Sequence, residues 1–164
     1  MDIYAFLAQH SIAYERCDHP AVFTCEEAEK LVPNLPGGNT KNLFLRDKAG
    51  KRHVLAVVPH EKNVDLKTFA AAIGMKGVSF ASPERLLNHL GVTPGAATLL
   101  GLVTDGDHAV EVVIDEKLWK ADALLCHSLV NTATLVISHA GIETFLKATG
   151  HEAKVMDIPG RSDV

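Results

Sequence analysis

The stretch Gly37-Gly38-Asn39-Thr40-Lys41-Asn42-Leu43-Phe44-Leu45 organises the rest of the chain. Two glycines and short polar residues form a flexible lead-in, and a lysine then stands at the start of an apolar strand. Side chains alternate along a strand, so Lys41 shares a face with Leu43 and Leu45. An ammonium group at the rim of such a face needs an anionic or strongly polar partner, such as a phosphate, unless it bends out to solvent.

The residues that follow predict a β-hairpin. Leu43–Arg46 and His53–Val58 form its strands, around the turn Asp47-Lys48-Ala49-Gly50. The second strand is almost continuously apolar, which is typical of a central strand covered on both faces. The hairpin is therefore predicted to lie in the middle of the sheet.

The rest of the chain mixes helices and strands without a regular βαβ repeat. Helices are predicted at 2–10, 25–32, 65–73, 82–90 and 141–149, and further strands at 12–17, 78–81, 109–114, 124–129, 132–138 and 154–158. This pattern predicts the α+β class, with a mixed, mostly antiparallel sheet. No linker or internal repeat is apparent, so residues 1–164 are predicted to form a single domain.

Charge is distributed unevenly along the chain. The net charge of -4 over 164 residues argues against a general nucleic-acid coat protein, and no DNA partner is expected. Residues 41–76 nevertheless hold eight cations and three anions, a local net charge of +5. A basic face on an acidic protein suits a limited contact with a phosphate backbone, although a solvated hairpin would show the same pattern.

Cysteine usage and hydropathy narrow the class of protein. Cys17, Cys25 and Cys126 contain no C-x-x-C pair, which disfavours a disulfide framework or a zinc site, and no metal or other cofactor is expected. The N-terminus lacks the basic region of a signal peptide, and no apolar run of about 18 residues is present. We expect a cytoplasmic protein without a membrane partner.

The chain lacks the usual catalytic signatures but contains two suggestive regions. Gly91-Val92-Thr93-Pro94-Gly95 is an irregular stretch whose peptide groups are free to bind something else. Leu125, His127 and Leu129 alternate on one predicted strand face, where His127 is either a core histidine or part of a pocket. Cys126 and His127 point to opposite faces of that strand, so they do not form a thiol–imidazole pair.

Together these stretches resemble a known family. Thr40-Lys41-Asn42-Leu43-Phe44-Leu45, Leu90-Gly91-Val92-Thr93-Pro94-Gly95 and the run from Cys126 to Thr134 occur in the order found in the YbaK/prolyl-tRNA-synthetase editing domains. The chain then closes with Phe145-Leu146-Lys147-Ala148-Thr149-Gly150-His151. The resemblance covers about Tyr4 to Ile158 and is strongest to the freestanding branch that deacylates alanine mischarged on the proline tRNA.

The resemblance implies a fold, a reaction and a set of site residues. The sheet would be partly barrel-like and flanked by helices, and the protein would be an aminoacyl-tRNA hydrolase that uses water and needs no metal. Lys41 would contact the aminoacylated 3′ end of the tRNA, and the backbone of the loop with Gly91, Thr93, Pro94 and Gly95 would surround the ester. The residues implied to bind the substrate are Asn42, His127, Leu129, Asn131 and Thr132.

The resemblance also leaves alternatives open. The family's cysteine-editing branch has a glycine four residues before the loop proline, where this chain has Leu90, and the proline that usually follows the pocket histidine is Ser128 here. The first departure favours the alanine-specific branch. The expected partners are the acceptor end of the proline tRNA and, as an open alternative, prolyl-tRNA synthetase. Editing of a cysteine or serine ester and a non-catalytic binding module are the competing functions.

Overall fold

The computed structural model describes residues 2–18, 38–130 and 132–160, with Asn39 described by its backbone alone. The helices are α1 (Ile3–Gln9), α2 (Leu66–Ala72), α3 (Pro83–Leu90), a 3₁₀ helix (Leu99–Thr104), α4 (Glu116–Trp119) and α5 (His139–Thr149). The strands are β1 (Glu15–Asp18), β2 (Gly38–Asp47), β3 (His53–Pro59), β4 (Val78–Phe80), β5 (Val110–Asp115), β6 (Ala123–His127), β7 (Ala133–Ser138) and β8 (Ala153–Met156). The α+β class is as predicted.

Local capping explains where several helices begin and end. Asp2, Asp65, Ser82 and Ser138 each precede a helix and accept a backbone N–H of its first turn. These bonds satisfy donors that the helix itself leaves free. Gly150 ends α5 in a left-handed conformation with φ 78°, the usual position for a glycine cap.

The strands form one mixed sheet in the order β1-β7-β6-β2-β3-β5-β8, with β4 paired to β2 off this path. Four of the strand pairs are antiparallel (β1 with β7, β2 with β3, β2 with β4, and β6 with β7). The other three are parallel (β2 with β6, β3 with β5, and β5 with β8). Within the described part of the chain β1 and β8 stay at the two edges, so the sheet curves without closing into a barrel.

The hairpin of β2 and β3 separates two apolar cores. All seven residues of β3 are buried, which confirms the predicted central strand. Leu55 and Val57 belong to the larger core, which α3, α5 and the 3₁₀ helix also enter. Val54, Ala56 and Val58 belong to a smaller core beneath α2. Each face of the hairpin therefore packs against its own set of helices.

One edge of β2 is shared by two partners that do not meet. β3 pairs with one edge from Thr40 to Arg46, whereas the opposite edge pairs with β6 at residues 38–39 and with β4 at residues 45–47. No described strand covers this second edge between residues 40 and 44. We call this interval the split edge of β2, and Lys41 lies within it.

The structure corrects the predicted strand bounds at both ends of this region. β2 begins at Gly38 rather than Leu43, so Lys41 lies inside the strand. β6 ends at His127, two residues before the predicted end, because Leu129 has a φ of 94° that no strand residue adopts. The apolar run after Gly95 forms the 3₁₀ helix. The helix predicted at 25–32 lies outside the described residues.

Candidate functional site

Within the part of the chain that the structure describes, Lys41 has a single, neutral hydrogen-bond partner. It alternates with Leu43 and Leu45, as predicted, and these leucines pack on the smaller core. Its Nζ donates to the backbone carbonyl of Lys62 at 2.5 Å. No carboxylate among the described residues lies within ion-pair distance of Lys41, so its positive charge is not neutralised by the part of the protein that the structure describes.

The register between β2 and β6 places Lys41 and His127 on one face. Position 39 is in register with Leu125 in the parallel ladder, so alternate positions of the two strands, counted from this pair, share one side of the sheet. Two steps along each strand lead to Lys41 and His127, which return to that side. Pairing of β2 with β6 is restricted to residues 38–39 of β2. The two side chains therefore flank the point at which the strands separate, next to the split edge.

The glycine–proline loop begins as the cap of a helix. Gly91 ends α3 with φ 67°, and its N–H donates to Leu87 O. A Cβ at this position would lie 2.8 Å from Thr104 Oγ1, so both conformation and space require glycine. Thr93 and Pro94 are exposed, and Gly95 turns the chain with φ 89°. The predicted irregular loop is present, but Gly91 has a structural role in it.

Thr98 joins this loop to the end of β6. Its side chain is fully buried, and Oγ1 donates to the backbone carbonyl of His127 at 2.7 Å. The same oxygen accepts the N–H of Leu100 at 3.2 Å and so caps the 3₁₀ helix. His127 is thus fixed from both sides, with its carbonyl on the loop and its side chain on the Lys41 face. Sequence analysis missed Thr98, although its place before an apolar helical run was a capping signal.

The remaining predicted site residues occupy three different settings. Asn42 alternates with Lys41 and lies on the opposite face, with Phe44 of the larger core. Leu129 packs partly against the larger core from the turn after β6, and Thr132 is exposed in that turn. Asn131 lies outside the described residues. The register of β2 with β6 therefore places Lys41 and His127 on one face of the sheet, and Asn42 lies on the opposite face.

Two buried side-chain oxygens close to these residues have no hydrogen-bond partner within the described ranges. They are Asn42 Oδ1 and Ser128 Oγ. Buried polar atoms are nearly always bonded, so such atoms indicate places where a further donor can be accommodated. Ser128 also donates its backbone N–H to Ala133 O, which closes the turn between β6 and β7.

A charged network fixes the turn that holds Lys41. Lys62 Nζ donates to Asp115 Oδ2 at 2.6 Å, to Asp157 Oδ1 at 3.2 Å and to Ile158 O at 2.8 Å. The Asp115 side chain is only 1% exposed, whereas that of Asp157 is 77% exposed. Burial alone would lower the pKa of Lys62, but the hydrogen bonds to the two carboxylates outweigh it and raise that pKa. The carbonyl that accepts from Lys41 is thereby held in place.

The thiol beside His127 is chemically inert. Cys126 is buried in the larger core, and burial raises the pKa of its thiol to about 12. A thiolate is the nucleophilic form of cysteine, so Cys126 offers no nucleophile at neutral pH. Its side of β6 is also opposite to that of His127, as predicted.

Neither a metal cluster nor a membrane span is found in residues 2–18, 38–130 and 132–160. No three His, Cys, Asp or Glu side chains converge there in a way that could hold a metal ion. Likewise, none of the helices in these ranges has the length and apolar character needed to cross a bilayer.

Comparison with known proteins finds a matching family model and several related proteins. Residues 19–145 match the model of the aminoacyl-tRNA editing domain. The chain is 36% identical over 156 residues to the prolyl-tRNA editing protein ProX of Acetoanaerobium sticklandii, with 95% of each chain covered. It is also 36% identical over 156 residues to the prolyl-tRNA synthetase associated domain-containing protein 1 of Xenopus laevis, with 92% of each covered. The crystal structure of the hypothetical protein APE2540 shares the fold, with a TM-score of 0.73, 19% identity and coverage of 96% of this chain and 99% of that one.

Proposed function

The chain belongs to the aminoacyl-tRNA editing domain family, and we propose that it acts in trans to hydrolyse the ester of alanine mischarged on the proline tRNA. The reaction releases free alanine and leaves the tRNA with its terminal hydroxyl restored. An aminoacyl ester is already activated, so an oriented and polarised water suffices as nucleophile, and no covalent intermediate is needed.

The position of Lys41 carries this proposal. Its ammonium group has one neutral carbonyl partner among the described residues, and it shares a face with His127 beside the split edge of β2. A phosphate of the 3′ end would supply the missing negative charge, and an ester oxygen would accept a hydrogen bond from Lys41. Charge-assisted hydrogen bonds of this kind are about twice as strong as neutral ones. Lys41 would hold the aminoacylated end and stabilise the oxyanion that develops during hydrolysis.

The loop that carries Thr93, Pro94 and Gly95 would hold the scissile group. Thr98, three residues after Gly95, donates to the backbone carbonyl of His127 and so links the segment after this loop to the end of β6. Backbone N–H and C=O groups of the loop would bind the ester carbonyl and the α-amino group of the substrate. A ribose hydroxyl of the tRNA end would help to activate the water, as the family resemblance implies.

His127 and Leu129 would set the size of the amino-acid pocket. A synthetase pocket shaped for proline cannot strongly reject alanine, because each missing methylene is worth only about 1–3 kcal/mol. A second pocket that is too small for proline would remove the errors without attacking the correct product. Leu129 packs against the larger core from a constrained turn, which suits the wall of a rigid pocket.

A panel of charged tRNAs tests the proposal directly. The purified protein would be incubated separately with the proline tRNA carrying alanine, cysteine, serine or proline, and the released amino acid would be measured. We expect the alanine ester to be cleaved at least about tenfold faster than the other three, which corresponds to about 1.4 kcal/mol of discrimination. Faster cleavage of the cysteine or serine ester would reassign the substrate, and failure to cleave any ester would favour a non-catalytic tRNA-binding module.

A further inference from the structure

A second group of positive charges lies near the far end of β2 from Lys41. Arg46 is directly opposite His53 in the β2–β3 ladder, and Arg85 and His89 approach the same place from α3. Arg85 Nη1 donates to Gly50 O at 3.1 Å and to His53 Nε2 at 2.9 Å. The rings of His53 and His89 have centroids 4.3 Å apart. We name these four residues the arginine–histidine cluster.

The two guanidinium groups of this cluster converge. A Cβ placed on Gly50 would lie 2.9 Å from Arg85 Nη2 and 3.4 Å from Arg46 Nη1, so both groups reach one point beside the hairpin turn. Gly50 has φ 70°, which glycine adopts without strain. Two like charges held this close repel each other unless an anion lies between them.

Acidic groups of the described residues do not neutralise this cluster. Asp47, which follows Arg46 in the sequence, uses Oδ1 to accept the backbone N–H groups of Lys51 and Arg52, and Glu84, which precedes Arg85, lies in the first turn of α3. Glu111 is engaged by Arg52 through two hydrogen bonds of 2.8 and 2.7 Å. No ion pair to Arg46 or Arg85 occurs in the described ranges, in contrast to Arg52 of the same hairpin.

Buried His53 holds Arg85 in position. Arginine only donates hydrogen bonds, so His53 Nε2 must accept, and the ring is then neutral. Burial, together with the nearby His89 and Arg85, lowers the pKa of His53 and favours this neutral form. Arg85 is therefore pre-organised by a neutral base and a carbonyl, and its remaining N–H groups are available to a ligand.

We propose that the arginine–histidine cluster is a second phosphate-binding site, which holds the sugar–phosphate backbone of the tRNA away from the aminoacylated end. This inference rests on the proposed function. Paired guanidinium forks match the oxygens of a phosphodiester, and RNA is the polyanion that the proposed reaction brings to the protein. The cluster also accounts for part of the basic stretch at 41–76 on a protein of net charge -4.

The spacing along β2 suits one RNA molecule bound at both places. Lys41 and Arg46 are five residues apart, which is about 17 Å along a strand. They project from opposite faces, so a polynucleotide that contacts both has to cross the split edge of β2. The second site would then position the acceptor end before the ester enters the pocket.

The test measures binding of uncharged proline tRNA by fluorescence anisotropy over a range of salt concentrations. Arg46→Gln and Arg85→Gln each remove one charge from the cluster, and Lys48→Gln removes one exposed charge from the adjacent turn as the matched control. We expect each cluster variant to raise Kd about five- to tenfold and to reduce the salt dependence by about one counterion. The control variant would change Kd by less than about twofold. The side chain of Arg46 makes no hydrogen bond within the described residues, so its variant gives a result even if Arg85→Gln fails to fold.

Two outcomes overturn the inference, and both are separable from failure of the proposed reaction. Equal Kd values for Arg46→Gln and Lys48→Gln would show that the cluster does not bind RNA. Unchanged tRNA binding with weakened binding to prolyl-tRNA synthetase would assign the cluster to a protein carboxylate instead. Because this tRNA carries no amino acid, the binding measurement does not require hydrolysis. A wild-type protein that cleaves no ester would refute the proposed reaction, whatever the cluster variants do.

Discussion

Lys41 and Lys62 are joined by a hydrogen bond and differ in the groups that neutralise their charges. Lys62 donates to two carboxylates, one of them 1% exposed, whereas the only acceptor of Lys41 among the described residues is the carbonyl of Lys62. The first arrangement satisfies a cation within the fold. The second holds a cation in position and leaves its charge for a ligand. Under the proposed function, Lys62 stabilises the fold, whereas Lys41 contacts the substrate.

The largest expected effect is a loss of activity, which would distinguish the role of Lys41 from that of Lys62. Lys41→Ala should lower the rate of Ala-tRNA deacylation by about 100- to 1,000-fold, because it removes the charge that stabilises the developing oxyanion. Its melting temperature should stay within about 2 °C of that of the wild type, since only one hydrogen bond to a carbonyl is lost. Lys67→Ala, an exposed lysine on α2, is the control. Wild-type activity in Lys41→Ala would show that Lys41 is not needed for hydrolysis.

A second variant separates the roles through stability. Lys62→Met leaves the buried Asp115 without its cation, so the free energy of unfolding should fall by about 2–4 kcal/mol. Urea denaturation measures this loss. Lys117→Met, which breaks an exposed pair with Glu61, should cost less than about 1 kcal/mol. Equal losses in the two variants would show that burial of Asp115 does not distinguish them.

The pH dependence of stability sharpens the same comparison. The pKa of Lys62 is raised above its usual 10.5 by the two carboxylates, despite burial. A raised pKa in the folded state stabilises the protein below the unfolded pKa, and that contribution is lost as the pH rises through the folded value. The stability gap between wild type and Lys62→Met should therefore be constant near about pH 8 and shrink above about pH 10.5. A gap that stayed constant at high pH would contradict the ion pair.

The smallest effect is expected at the exposed member of the network. Asp157→Asn removes a carboxylate whose side chain is 77% exposed, so the free energy of unfolding should change by no more than about 0.5 kcal/mol. Deacylation should be unaffected, because Asp115 and Ile158 O continue to hold Lys62. Chemical denaturation and the alanine-release assay check the two expectations. A larger loss would move Asp157 into the group that fixes the Lys41 turn.

Local signals explain how much of the fold was predictable. The helices that follow Asp65 and Ser82 and the apolar run of β3 depend on neighbouring residues, and the structure has these elements where the sequence predicts them. The bond between Lys62 and Asp115 joins residues 53 positions apart, and no local pattern indicates it. The split edge of β2 likewise depends on where β4 and β6 pair, which is a property of the whole sheet.

The members of the candidate site were named from the sequence, but their arrangement could not be predicted from it. Lys41, His127 and the loop were named from alternation, loop chemistry and resemblance, whereas Asn42 and Leu129 were placed without knowledge of the faces and turns. Leu129 was assigned to a strand because alternation continued through it. Its left-handed backbone gives no sequence signal, since glycine or asparagine is the residue that normally marks such a position.

The turn that contains Leu129 also matters for attempts to engineer a more heat-stable protein. A leucine at φ 94° costs about 1–3 kcal/mol, so a designer seeking thermal resistance would replace Leu129 with glycine. Under the proposed function, such a change would relieve backbone strain in the wall of the pocket that would distinguish alanine from proline. A gain in thermal stability at this position would then be accompanied by hydrolysis of correctly charged Pro-tRNA. Thermal stability and amino-acid selectivity would therefore have to be selected together.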